Sequence, residues 1–335
     1  MDGVRRRLVG SAAIALFGIS VARSEPALRV MRVVVVPTSD WSGRTEEQRQ
    51  GSRETNARYL AEEGFVEGRN VALEFVDIHS PDRTEVERRA RAVIASRPAV
   101  ILVGGDYVDQ FARLTKEIPI VFYYMGYDPL RAGFVESYSR PGGNVTGIMF
   151  YPPGRESKSW ELLRELAPGA KRIGVVYYED EPTGPWIEQE RESTRATASV
   201  LGLELVRIVI PRNVAYPVVE RAIRKAKIDV MGGVDGSASW IADHMRFLEQ
   251  SRIPAIWNNP EAVRRGGLLS CQPSWDGQYR TAVTLVAQVL RGANPATLPV
   301  QAPTRYMTAI NLRTARAMGL TIPPSILLRA DLVIE

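Results

Sequence analysis

The chain has 335 residues, 45% of them hydrophobic and 24% charged, values of a globular protein with enough apolar surface for a substantial core. Wholesale disorder, collagen-like repeats and one small module are therefore excluded, and two domains are expected at the usual ~100–200 residues each. One cysteine and two histidines, His79 and His244, exclude an internal disulfide and a His/Cys metal cluster, and the net charge of +5 points to no nucleic-acid partner because it sits partly at the extreme N-terminus.

There, Arg5, Arg6 and Arg7 precede an apolar run over residues 8–22 that ends on the small-x-small pattern Ser20-Val21-Ala22. This is the pattern of a secretory signal peptide, assigned to residues 1–24. The run is shorter than the ~20 residues of a membrane-spanning helix, and no cysteine lies near it to carry a lipid. An uncleaved short anchor is the alternative. Cleavage after Ala22 removes Asp2 with the three arginines and leaves a net charge of +3. The expected product is exported, soluble and periplasmic.

Residues 30–37, with Val33 to Val36 in a row, predict a buried strand, and residues 46–63 a helix stopped by Gly64. A strand over 70–77, an Arg-rich surface helix over 82–97, a strand over 99–104, a helix over 106–116 and a strand over 118–124 follow. Alternating elements with continuous apolar strands predict a parallel sheet covered on both faces. The second half repeats the series. Helices are expected over 155–166, 185–201, 214–226 and 237–250, and strands over 172–178, 203–210, 228–233 and 254–257.

Two local matches relate the halves. Val103-Gly104-Gly105-Asp106 corresponds to Gly232-Gly233-Val234-Asp235, and Ile118-Pro119-Ile120-Val121-Phe122 to Ile253-Pro254-Ala255-Ile256-Trp257. They occur in the same order within the same run of elements. The fold class is thus α/β, with two doubly wound Rossmann-like lobes and a cleft between them. The lobes are assigned to residues 25–145 and 146–275, and the segment 276–335 is expected to cross between them.

Neither G-x-G-x-x-G after a strand, nor the phosphate-binding G-x-x-x-x-G-K-[ST], nor G-x-S-x-G occurs. No cofactor is expected. His79, in a loop, and His244, in a helix, read as solvated side chains, and Cys271 as a buried inert thiol, which leaves no catalytic group.

Ligands of open α/β sheets bind beyond the carboxyl ends of the strands. Those ends carry Ser39, Asp40 and Trp41; Asp106 and Tyr107; Tyr127 and Asp128; and, from the second half, Asp235, Ser237 and Trp257. Trp41, Tyr107, Tyr127 and Trp257 are candidate apolar walls, Asp106, Asp128 and Asp235 candidate partners for an ammonium, and the backbone near Ser39 and Ser237 a donor for a carboxylate. Aromatic residues and carboxylates recur in these segments, whereas Lys and Arg are missing from them. Such a cleft favours a small molecule with an apolar or aromatic body and an amine. Helix capping by Asp106, Asp235 and Ser237, and core packing by Trp257, are the competing roles.

Residues 137–147, Ser-Tyr-Ser-Arg-Pro-Gly-Gly-Asn-Val-Thr-Gly, resemble the S-L-x-R-P-G-G-N-V-T-G signature of a family of ABC transporter substrate-binding proteins. Residues 60–71 are similar to the family's L-x-E-x-G-[YF]-V-E-G-x-N-V, residues 289–301 to its I-L-x-G-x-x-P-x-x-L-P-V-x-Q, and residues 310–335 to its terminal I-N-x-x-x-A-x-x-x-G-L-x-I-P-P…A-D-x-V-I-E. The resemblance implies a type I periplasmic-binding-protein architecture of the amino-acid-binding kind. It also implies a non-catalytic receptor that delivers a small solute, such as an amino acid or related amine, to the membrane permease of an ABC importer. A periplasmic ligand-sensing module and an exported α/β enzyme are the alternatives. Tyr59, where family members commonly have Gly, and the loop 37–41 depart from the family's common forms. Pro141 to Gly143 supplies a turn, and Asn144 to Gly147 is expected to begin an extended crossover between lobes.

Mass spectrometry of exported protein is expected to show a chain beginning after Ala22 or Ser24; residues 1–21 retained in a membrane fraction would show an anchor instead.

Overall fold

The computed structural model describes residues 30–125, 128–150, 156–179, 185–211, 214–234 and 241–335. The leader assigned to residues 1–24 lies outside them.

The first lobe runs β1 (Met31–Val36), α1 (Glu46–Glu62), β2 (Val71–Phe75), α2 (Arg83–Ala95), β3 (Val100–Gly104), α3 (Val108–Leu114), β4 (Ile120–Met125) and β5 (Val145–Met149). Its sheet has the order β2-β1-β3-β4-β5, parallel throughout. Val33 to Val36 and Val100 to Val103 are buried on both faces, which explains why these strands read as unbroken apolar runs. Local chemistry fixes the helix ends. Thr45 and Gln48 form a reciprocal capping box at the start of α1, and Gly64, at φ 85°, turns the chain after its end. Arg88, Arg89 and Arg91 of α2 pair with Glu85 and Glu87 on an exposed face.

The second lobe runs α4 (Glu156–Leu166), β6 (Arg172–Tyr178), α5 (Pro185–Val200), β7 (Glu204–Ile210), α6 (Tyr216–Ala226), β8 (Val230–Val234), α7 (Ile241–Ser251), β9 (Ala255–Trp257), α8 (Pro260–Arg264) and β10 (Leu269–Pro273). After these come α9 (Trp275–Leu290), β11 (Tyr306–Asn311), α10 (Leu312–Ala317), α11 (Pro324–Arg329) and β12 (Leu332–Ile334). The second sheet has the order β12-β11-β10-β9-β8-β6-β7, with β10 and β11 antiparallel. The repeated sequence segments fall on β3 and β8 and on β4 and β9, which hold equivalent places in the two strand orders. Each lobe carries an apolar core on either face of its sheet.

The chain passes from lobe to lobe between β5 and α4, between β10 and α9, and between Gln301 and β11. The Arg-Pro-Gly-Gly-Asn-Val-Thr-Gly segment is built into this region. Gly142, at φ 79°, donates its N–H to Ala296, and the Asn144 amide donates to the carbonyls of Thr115 and Ile118. The Thr146 hydroxyl donates to the Leu298 carbonyl, and Gly147 accepts from the Gln301 N–H. Asn144 to Gly147 are expected to begin an extended crossover; residues 145–149 are an edge strand of the first sheet, paired with β4 and laced to the returning segment 296–301. A Cβ on Gly147 would lie 2.3 Å from the Phe122 carbonyl oxygen and 2.5 Å from its ring. Gly147→Ala is therefore expected to destabilise the chain by about 1–3 kcal/mol, read as a lowered midpoint in denaturant at unchanged m-value.

His244, expected in solvent, is fully buried. It shares an inner stripe of α7 with Phe247 and Leu248, lies 3.1 Å from the Tyr216 hydroxyl through Nδ1, and meets the Trp257 ring edge-on. Burial lowers its pKa from 6.5 to about 4, so it is neutral in the folded chain at pH 7. Between those values the unfolded state binds the extra proton, and stability falls as pH drops. A fall of that size corresponds to about 3 kcal/mol lost between pH 6.5 and 4, and His244→Phe is expected to flatten this part of the Tm-against-pH curve. Cys271 is buried as expected, with its thiol pKa raised by burial.

Candidate functional site

A cavity of about 1100 Å³ opens at the carboxyl ends of β1, β3 and β4, between the start of α1 and the start of α9. One wall is the residue 37–44 turn. Gly104 has no side chain because Thr38 passes over it: a Cβ there would stand 2.8 Å from the Thr38 nitrogen. Beyond Thr38 the chain winds a short 3-10 turn, Ser39–Gly43, and the Asp106 carboxylate accepts the Ser39 N–H at 2.9 Å, holding the turn to the end of β3. Trp41 is thereby laid flat on Phe75, ring centroids 5.5 Å apart and planes inclined by 15°.

The cavity is also lined by an aromatic cluster drawn from distant parts of the chain. Tyr124 packs edge-on against Trp275 at 4.9 Å and Phe150 at 5.5 Å, and Phe150 meets Trp275 at 4.4 Å. Tyr279 contacts both Tyr123 and Tyr124. Two features place them. The register of β4 against β5 shifts between Phe122 and Met125, and Tyr124 takes φ 53°, a left-handed conformation that costs a bulky residue of order 1–3 kcal/mol and is retained where surrounding structure dictates it. Helix α9, which follows β10 of the second sheet, then brings Trp275, Asp276 and Tyr279 to the cavity.

The polar groups are few. The Tyr279 hydroxyl donates to Asn56 at 2.9 Å, and the Tyr59 hydroxyl donates to Asp276. Burial raises the pKa of both Tyr124 and Tyr279, so each hydroxyl is neutral and a donor at physiological pH. Arg44 lies against the Trp41 ring, 5.7 Å from its centroid, and donates to the Ser52 hydroxyl at 3.2 Å. Trp275 is 45% exposed, so part of its indole is open to a ligand. Aromatic faces around a small number of fixed charges suit a compact organic molecule with a flat apolar body. Among the described residues there is no group of three or more His, Cys, Asp or Glu that could hold a metal ion.

Ser39, Trp41 and Asp106, expected from the strand ends, line this cavity together. Others do not reach it. Tyr107 is buried beneath the first sheet with its hydroxyl 3.0 Å from His79 Nδ1. Asp128 caps its own loop by accepting the Leu130 N–H. Trp257 is 1% exposed in the second lobe's core, the packing role that competes with ligand contact. Tyr127, Asp235 and Ser237 lie outside the described residues, as does the side chain of Asp40. Arg44, Phe150, Trp275, Asp276 and Tyr279 lie outside the strand-end segments read from the sequence, whereas Tyr124 belongs to the segment after the fourth strand and was not named as a wall residue.

Comparison with known proteins agrees with this architecture. A conserved domain protein from Vibrio cholerae superposes with a TM-score of 0.68 at 25% identity, over 91% of this chain and 99% of that one. An ABC domain from Streptococcus pneumonia, solved in complex with L-Trp, gives 0.67 at 24% identity with the same coverage. A ligand-free, open substrate binding protein with adhesive properties from Clostridium difficile gives 0.71 at 21%. These likenesses identify the two lobes as a type I periplasmic-binding-protein fold. In sequence, the chain is 24% identical over 275 residues to a tyrosine-binding protein of Clostridioides difficile (strain R20291), covering 78% of this chain and 74% of that protein. The family model described as ABC transporter substrate binding protein matches residues 45–334, and the chain belongs to this family of binding proteins, not enzymes.

Proposed function

We propose that the protein is an exported receptor that captures an amino acid with an aromatic side chain, or a related amine, and delivers it to the permease of an ABC importer. The observation that carries this reading is the cavity itself, which is lined by both the Trp41–Phe75 stack and the Tyr124, Phe150 and Trp275 cluster. A planar side chain entering between these surfaces exchanges water for aromatic contact on both faces. The names of the relatives support the same class: one is called a tyrosine-binding protein, and another was solved with L-Trp. Export rests on the arginine-led apolar leader, and delivery on membership of the family.

The reading is tested by a thermal-shift screen of amino acids, amines, sugars and organic acids against the leader-free protein. A ligand present at 100 times its Kd stabilises the folded state by about 2.7 kcal/mol, so an aromatic amino acid or amine is expected to raise Tm by several degrees. A response confined to sugars or non-aromatic acids would overturn the assignment. Trp275→Ala removes a half-exposed ring from the aromatic cluster and is expected to weaken the Kd about tenfold or more, measured by calorimetric titration on protein whose fold is checked by circular dichroism.

A further inference from the structure

We infer that Tyr59, behind the cavity, is a positioning residue for the solute: its hydroxyl holds one oxygen of the Asp276 carboxylate and leaves the other to take the ligand's ammonium. The inference rests on reading the cavity as the solute site and names the group that sets its selectivity for an amine.

Tyr59 is not among the residues that line the cavity. It is 2% exposed, on the buried face of α1 with Asn56 and Leu60. Two guanidiniums fix its ring, that of Arg280 at 4.4 Å from the ring centroid and that of Arg58 at 4.9 Å, and Arg280 is itself paired with Glu62. A ring packed and clamped in this way has little freedom, so the direction of its hydroxyl is set before any ligand arrives. A buried phenol needs a hydrogen-bond partner, and this one finds it in Asp276 Oδ1. Burial, and after it the bond to Asp276, raise the pKa of Tyr59, so the hydroxyl keeps its proton and is the donor.

Asp276 stands in the first turn of α9 and lines the cavity with Trp275 and Tyr279. Its Oδ1 is engaged by Tyr59, and among the described residues Oδ2 accepts no hydrogen bond. Two carboxylate oxygens offer about four acceptor positions, so the bond to Tyr59 orients the group without exhausting it. The other carboxylate of the lining, Asp106, accepts the Ser39 N–H and holds the residue 37–44 turn. Asp276 instead adjoins the aromatic cluster: it follows Trp275 directly, and the Tyr124 hydroxyl donates to the Trp275 carbonyl at 3.4 Å. A ring seated on the open part of the Trp275 indole brings an ammonium on a short side chain within reach of this carboxylate. Holding the carboxylate in advance reduces the ordering that binding must otherwise supply. Only a solute with a cation gains from that, since a deaminated acid presents nothing for Asp276 to accept.

The test is calorimetric titration of the leader-free protein with L-tryptophan, tryptamine and indole-3-propionate, and with the corresponding tyrosine series. Tyr59→Phe keeps the ring, its burial and both guanidinium contacts and removes the hydroxyl alone. It is expected to weaken the amino acid and the amine about fivefold or more while changing the deaminated acid less than about twofold. Asp276→Asn, at an exposed position, is expected to show the same pattern, and the double variant to lose little beyond Asp276→Asn alone, because both changes act on one contact. Circular dichroism checks the fold of each variant. A loss shared equally by all three probes, an unchanged amine Kd in either single variant, or additive losses in the double variant overturns the positioning role and leaves the aromatic receptor standing. Failure of the wild-type protein to bind any of the probes overturns the receptor reading and this inference with it.

Discussion

The return of α9 to the first lobe is the packing event on which the rest of this molecule depends. Although it follows β10 of the second sheet, α9 buries Ala282, Val283, Leu285, Val286, Ala287 and Val289 against the face formed by β1, β3 and β4. Fully burying a Val or Leu side chain is worth about 1.5–3 kcal/mol, so this stripe outweighs the polar contacts at its margin. Without it, the part of that face not covered by Tyr59 and Leu60 of α1 would lie open to water. With it, the two lobes cannot fold as consecutive, independent beads, because part of one core is supplied from beyond the other.

The margin of that contact has a different purpose. Along α1 and α9, Asn56 meets Tyr279, Tyr59 meets Asp276, Glu62 meets Arg280, and Glu63 meets Thr284 and Arg291. The exposed ion pairs contribute little stability individually. They do fix the rotation and register of α9 over α1. Tyr59 and Asn56 are buried, so the two bonds nearest the cavity are sheltered from water, and they orient Asp276 and Tyr279 directly. The apolar stripe decides that α9 docks; the polar row decides which of its residues face the cavity.

Sequence alone disclosed what is local. Val33 to Val36 could be a buried strand and little else, Gly64 marked a helix stop, and the paired Gly-Gly-Val-Asp and Ile-Pro segments identified equivalent strands in two lobes. Trp41 and Asp106 were legible as cavity residues because both follow strands that end on the same side of the sheet. Trp257 and Tyr107 share that pattern and point into cores instead, a choice set by packing that strand alternation does not resolve. His244 misled because a lone histidine beside Asp243 resembles surface, while the helical spacing to Phe247 and Leu248 carried the truth. Arg44, Phe150 and Trp275 were beyond reach for a different reason. Their place in the cavity is fixed by how a turn folds back and where the chain changes lobes, and no local pattern encodes either.

Those positions couple the cavity to the connections between lobes. Phe150 is the first residue after β5, where the chain leaves the first lobe, and Trp275 is the first residue of α9, where it comes back. The two rings touch each other and both touch Tyr124, whose left-handed backbone is stabilised by the same cluster. On the strand side, β5 is pinned by Asn144, Thr146 and the close approach of Gly147 to Phe122, so Phe150 hangs from a rigid support. A ligand can shift the arrangement of the lobes only by touching groups whose positions differ between arrangements. Contacts deep against Trp41 and Phe75 lie wholly within one lobe and contribute affinity without direction. Contacts at Phe150 and Trp275 act where the chain joins the lobes, and there binding free energy can bias their orientation.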